Sequence, residues 1–169
     1  MDYFIQFEHF PMPQEIYQHH LQNIELCVVA RKGHPVLTKT SLLEDIHHLP
    51  IARVVIDGLN NKRVPLEEFY ISKGYEANFT LLTHSIRVLV SKLESSDAIL
   101  YGSNYMKSFA PNLGMYPLPK MPEYMRSIGF VGGYLQTKRG FPLYQLLHQT
   151  MQTYFDEFVQ PEQMYDIDY

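Results

Sequence analysis

At 169 residues, with 46% hydrophobic and 19% charged positions, the chain is long enough for one domain or two small lobes with a real core, and too apolar for wholesale disorder. Its net charge of −4, from 14 basic and 18 acidic side chains, offers neither the basic surplus nor the basic stripe of a chain that grips DNA by itself. A single cysteine, Cys27, excludes an intrachain disulfide, and no apolar run nears the roughly 18 residues that span a bilayer.

The opening residues, Met1-Asp2-Tyr3-Phe4-Ile5-Gln6, carry no basic n-region and no long apolar h-region, so a soluble, reducing, cytoplasmic setting is expected. Residues 2–6 suit a short buried strand, followed by a loop through Pro11 and Pro13. Leu21 to Ala30 reads as a longer strand, broken by Gly33 and Pro35. Ser41-Leu42-Leu43-Glu44 fits a capping box that opens a short helix ending at Pro50. Ile51 to Ile56 is the next strand, and Asp57-Gly58 with Asn60-Asn61 makes a loop. Pro65 starts a helix that Gly74 terminates.

A strand through Ala77 to Leu81 leads to Thr83 as an N-cap, and Ile86, Leu89, Val90 and Leu93 follow at one-sided helical spacing. Residues 97–101 form a strand again, and Ser103 caps a brief helix ending near Pro111. A proline-rich passage precedes a strand from Ile128 to Leu135, weakened by Gly132-Gly133. The last helix runs from Pro142 to about Phe155, with Leu143, Leu146, Leu147, Met151, Tyr154 and Phe155 as its buried stripe. The acidic tail beyond it, with Glu157, Glu162, Asp166 and Asp168, is expected to fray. This alternation predicts an α/β protein with a mainly parallel sheet.

No residue pattern points to catalysis. The eight histidines are scattered or adjacent, without a ligand ladder, and read as surface or loop residues, so no metal is expected. Ser41, Ser85 and Ser103 lie at helix starts, where capping explains them, and none sits in a nucleophile elbow. Cys27 reads as a small buried hydrophobe, and Glu67-Glu68 as a solvated helix face. Gly129, Gly132 and Gly133 do not make a phosphate loop. The expectation is a non-enzyme without a cofactor. Two strand-to-helix turns, Thr83-His84-Ser85 and Gly102-Ser103-Asn104, are more informative. Free N–H groups there would favour an anion such as a carboxylate, although plain capping would account for Thr83 and Ser103 equally well.

Several segments in order resemble the effector-binding domain of LysR-type transcriptional regulators. They are Asp2-Tyr3-Phe4-Ile5, the run Leu26 to Leu37 with its His34-Pro35, and Ser41 to Ile46. Leu93 to Leu100, Tyr116-Pro117-Leu118-Pro119 and Phe141 to Leu147 complete the series. The succession Gly58, Val64, Leu66, Gly74, Leu93, Asp97 is similar to the branch holding nodulation and aromatic-degradation regulators, from which Pro65 and Glu76 depart.

That resemblance implies a fold like the type 2 periplasmic binding proteins, two α/β lobes joined by crossing hinge strands. Residues 1–31 and 128–158 would form a partial first lobe, 32–127 the second, and 159–169 an acidic tail. It also implies a small-molecule effector, such as a carboxylate or aromatic acid, contacted by Phe7, Glu8, Thr83, Ser85, Gly102, Ser103 and Asn104. Effector binding would shift lobe closure and subunit arrangement in a homodimer or tetramer. DNA would be read only by an N-terminal winged helix-turn-helix, which nothing in this sequence resembles, and no membrane partner is implied. The abrupt start reads as a fragment whose first lobe is incomplete and exposes apolar surface. A stand-alone solute-binding protein, or an enzyme of the same topology such as a prephenate dehydratase-like domain, are the competing readings.

Overall fold

The computed structural model describes residues 3–56, 65–158 and 165–167. The expectations for Asp2, for the loop at Asp57-Gly58 and Asn60-Asn61, for Val64, and for Glu162 and Asp168 lie outside those residues. The chain divides into two compact units, Met1–Ile24 with Ser127–Glu162, and Glu25–Arg126 with Gln163–Tyr169. Among the described residues no helix is long and apolar enough to cross a membrane.

In the first unit, β1 (Phe4–Phe7) pairs antiparallel with β7 (Ser127–Leu135), which also borders β2 (Ile16–Arg31). β2 starts five residues before the predicted Leu21, because Tyr17 to His20 already alternate between half-buried and exposed faces as a strand requires. The Gly132-Gly133 pair does not interrupt β7. It makes room instead, since a Cβ on Gly132 would run into the Tyr3 hydroxyl and the His19 ring.

Helix α5 (Pro142–Phe158) covers this sheet with only part of the predicted stripe, Leu147 and Met151 half-buried and Phe155 buried. Leu143, Leu146 and Tyr154 are exposed, and Tyr144 and Phe155 are the buried anchors. The face is rotated because aromatic partners wait beneath it: Tyr144 lies 5.1 Å from Tyr134, and Phe155 lies 6.1 Å from Phe130. Between sheet and helix, the Tyr3 hydroxyl bonds His19 Nε2 at 2.8 Å, and the His19 and His148 rings pack edge to face.

The second unit is built around the other half of β2. Residues 26–29 pair antiparallel with β5 (Leu100–Ser103), and residues 28–31 with β6 (Leu113–Tyr116), a strand not expected from the sequence, between the brief helix and the proline-rich passage. β3 (Ile51–Val54) pairs in parallel with β4 (Phe79–Thr83), and Ile51 bridges in parallel to Ile99, the residue just before β5. The prediction of a mainly parallel sheet is therefore corrected to a mixed one. Parallel pairing is found among β3, β4 and β5, where α2 (Pro65–Ser72) and α3 (Ile86–Glu94) supply the crossovers that parallel neighbours need.

Period-2 alternation along β2 sorts its side chains into two cores. Cys27 and Val29 enter one with Leu89, Leu93 and Met115, and Val28 and Ala30 enter the other with Ile46, Ile99 and Tyr116. Cys27 is fully buried, as a small hydrophobe, and burial pushes its thiol up to about 12. His34 departs from the surface reading given to the histidines, since it has no exposure at all. Its Nδ1 accepts from the Val36 and Leu37 amides at 3.2 Å each, which fixes the proton on Nε2, and that N–H donates to the Asp97 carbonyl at 3.0 Å. Its own amide donates to the Tyr116 hydroxyl, which in turn donates to the Arg31 carbonyl. His34 is a brace that ties the end of β2 to the strand pair beside it.

The N-caps of α1, α3 and α4 differ from the predicted ones by one or two residues. α1 (Leu43–Ile46) is preceded by Leu42 with no side-chain cap, so Ser41 and Glu44 form no capping box. Thr40 substitutes, accepting from the Leu42 amide and donating to Asp45 Oδ2. The α2 exit matches expectation, with Gly74 at φ +83°. Glu67 is not on a solvated face but pairs with Arg53 at 3.1 Å, and both side chains are largely buried. The tail is not frayed over residues 165–167, where Tyr165, Asp166 and Ile167 lie against the second unit.

Candidate functional site

Because β3, β4 and β5 run in parallel, their carboxyl ends leave the second unit's sheet along one edge. The Val55 amide donates to the Thr83 carbonyl at 2.7 Å at that edge, where Thr83 ends β4 and Ser103 ends β5. Helices that begin there point their unsatisfied first-turn amides outward, the arrangement by which α/β sheets hold ligands.

Thr83 and Ser85 are brought together at the start of α3, in exchanged roles. β4 runs through Thr83, so Thr83 cannot be the N-cap; its Oγ1 accepts the Ser85 amide at 3.0 Å. Ser85 is the cap, its Oγ accepting from Val88 at 3.3 Å. The amides of Ile86 and Arg87 have no acceptor within the helix.

Gly102, Ser103 and Asn104 close β5, all half-buried. Ser103 is a strand residue opposite Leu26, and does not cap α4 (Met106–Phe109), which follows Tyr105 without a side-chain cap. The brief helix therefore begins two residues beyond the predicted one, since β5 still needs Gly102 and Ser103 for its pairing with Cys27 and Leu26.

Phe7 and Glu8 belong to the first unit. Phe7 packs 4.9 Å from Phe130, and Glu8 donates its amide to the Gly129 carbonyl at 2.9 Å. The Glu8 side chain lies over Gly129, where a Cβ would collide with it. Both thus have structural roles that account for their positions.

Two polar groups near this edge escaped the sequence reading. Tyr101, beside Gly102, shares a 2.7 Å hydrogen bond with Tyr70 of α2. Burial pushes both hydroxyls up, Tyr101 well up, so the pair exchanges hydrogen bonds as neutral phenols and supplies no base. Arg53 carries a buried Nε without a hydrogen-bond partner among the described residues. An arginine inside the apolar run Ile51 to Ile56 was the signal available for it. Its guanidinium lies 4.4 Å over Phe79, the first residue of β4, and so is laid back from the Thr83 end.

A shallow groove of about 460 Å³ runs along α3, lined by Leu81, Arg87, Val88, Ser91, Lys92 and Ser95. It includes none of the predicted residues. No group of three histidine, cysteine or carboxylate side chains suited to a metal ion occurs among the described residues.

The fold is that of the regulatory domains of LysR-family transcriptional regulators. The chain is similar to the regulatory domain of MexT, a transcriptional activator in Pseudomonas aeruginosa, at a TM-score of 0.71 and 13% identity over 91% of this chain and 72% of that one. It is similar to the CcmR regulatory domain of Synechocystis PCC6803, solved in complex with 2-PG, at a TM-score of 0.70 and 14% identity, covering 93% and 74%. CbnR, a LysR family transcriptional regulator, matches at a TM-score of 0.69 and 10% identity over 90% of this chain and 52% of its own. Each is a regulator or its regulatory domain rather than an enzyme. The chain spans about half the length of the full regulators it matches. No protein-family profile and no curated protein matches the sequence.

Proposed function

We propose that this chain is the non-catalytic, effector-sensing part of a LysR-type transcriptional regulator, and that its effector is a small carboxylate or aromatic acid. The supporting observation is the carboxyl edge of the second unit, where Thr83 with Ser85 and Gly102 with Ser103 and Asn104 share one side of a parallel strand set. Helix-start amides and hydroxyls there match the acceptor oxygens of an acid. In this reading Phe7 and Glu8 are effector contacts as well, within a periplasmic-binding-protein-like pair of lobes. The effector acts by its differential affinity for two arrangements of the lobes, which biases the assembly of a homodimer or tetramer. Exposed apolar side chains on β4 and α3, Leu82, Ile86 and Val88, give such an assembly a face to bury. DNA contact belongs to a separate winged helix-turn-helix segment.

The test is a thermal-shift screen against small carboxylates, aromatic acids and amino acids, since a ligand of the native state raises the midpoint by mass action. A selective hit whose shift disappears in the Thr83→Ala/Ser103→Ala double variant supports the assignment. A hit whose shift is untouched by both substitutions removes it.

A further inference from the structure

β6 has β2 on one side and, among the described residues, no strand on the other. Val29 and Met115 face each other in that antiparallel pair, and the N–H and C=O of Met115 both point outward. An edge with exposed amides and carbonyls is a template for an added strand. Here it is occupied. The Asp166 amide donates to the Met115 carbonyl at 2.9 Å, and the Met115 amide donates to Asp166 Oδ2 at 2.7 Å.

The residues on either side of Asp166 separate as strand neighbours do. Tyr165 packs against the core that holds Cys27 and Met115, and Ile167 against the core that holds Val28 and Tyr116. Lys107, on α4, lies 3.5 Å from Asp166 Oδ1. One residue thus completes the edge of β6 with its backbone and its carboxylate, while its neighbours fill an apolar position on each face of the sheet.

We propose that the outer edge of β6, with Lys107, is a docking groove for an extended peptide of aromatic–aspartate–aliphatic pattern, filled in cis by Tyr165-Asp166-Ile167. Backbone pairing supplies affinity in such a groove, and the alternate side chains supply specificity. The short linear pattern is transferable, so the same groove accepts it from another chain once the cis copy is released. Tethering gives the cis copy an effective concentration on the order of millimolar, which keeps the groove closed to a dilute competitor.

The experiment uses the full chain. Asp166→Ala removes the carboxylate, and hydrogen exchange at the Met115 amide is expected to speed up by roughly tenfold or more. A labelled peptide of residues 163–169, at micromolar concentration, is expected to bind the Asp166→Ala chain, to restore protection of Met115, and to ignore the unaltered chain. Lys107→Ala in the Asp166→Ala background is expected to weaken peptide binding several-fold. Should Asp166→Ala fail to fold, Asp166→Asn keeps an acceptor for Met115 while losing the charge, and the same readings apply at smaller amplitude. Equal exchange at Met115 with and without the carboxylate overturns the proposal. So does a peptide that binds neither variant, or one that binds the unaltered chain as tightly as the released one.

Discussion

The second unit buries a set of aliphatic side chains completely on both faces of a sheet, whereas the hydrophobic side chains of the first all keep some exposure and one side of α5 lies in solvent. In the second, Val28, Val29, Leu93, Ile99 and Met115 have no exposure, and the fully buried His34 has both ring nitrogens bonded. In the first, the best-buried hydrophobic side chain among the described residues, Leu21, keeps 3% exposure, and Phe141, Leu143, Leu146 and Tyr154 are each more than half exposed. Its interior is aromatic and polar instead, with Tyr3, Tyr17, His19, Tyr134 and Tyr144 in ring contact. His19 Nδ1 and His148 Nδ1 are buried there without a hydrogen-bond partner among the described residues. Aliphatic packing tolerates little change in volume, while an aromatic layer with spare polar atoms responds to protons.

The contrast is broken most directly from the second unit. Leu93→Ala deletes a fully buried side chain between α3 and the sheet and is expected to cost about 3 kcal/mol, read by urea unfolding followed in far-UV circular dichroism. His34→Ala strands the Val36 and Leu37 amides and the Asp97 carbonyl, for a loss of about 2 kcal/mol by the same measurement. If either variant loses less than Leu146→Gln, the second unit is not the tightly packed one.

A smaller effect belongs to the first unit and depends on pH. Burial, with the neighbouring His148 charge second, pulls His19 down to about 4 from 6.5. Above pH 6.5 His19 is neutral whether the chain is folded or not, and its site costs nothing. As pH falls from 6.5 to 4 the unfolded chain takes up a proton that the folded site refuses, so stability falls through that window and levels off below it. Discounted for the partial exposure of His19, the loss is on the order of 1 kcal/mol. Hydrogen exchange of β7 amides at pH 7.5 and 4.5 reads it locally. His19→Gln flattens the dependence, and an unchanged slope in that variant would locate the titration elsewhere.

The smallest change is expected at the exposed α5 face. Leu146→Gln removes an exposed leucine and shifts unfolding by less than about 0.5 kcal/mol, with a gain in solubility. A loss of 2 kcal/mol or more would mean that this face is covered in solution.

Element type was readable wherever a single local rule decided it. Val28 to Ala30, Ile51 to Val54 and the spacing of Leu89 and Leu93 are local patterns, and the structure follows each of them. β6 was not readable, because Gly114 and the prolines around Leu113 to Tyr116 obscure an alternation that only pairing with β2 completes. The caps slipped for a related reason. Thr83 and Ser103 are good capping residues, but both were still needed by strands. The candidate site shows the same division: Thr83, Ser85 and Gly102 to Asn104 could be singled out as strand-to-helix turns, while Tyr70 and Tyr101 met through a tertiary contact that no spacing announces.

Chain chemistry alone settled the α/β alternation, the burial of Cys27, the glycine exit of α2 and the net negative charge, because each rests on residues close in sequence or on a simple sum. Strand direction, the rotated face of α5, the bracing role of His34 and the docking of Asp166 on Met115 were decided only in three dimensions. Each depends on which distant backbone or ring lies opposite, and the free energy of that pairing overrides any local preference of the residues that make it.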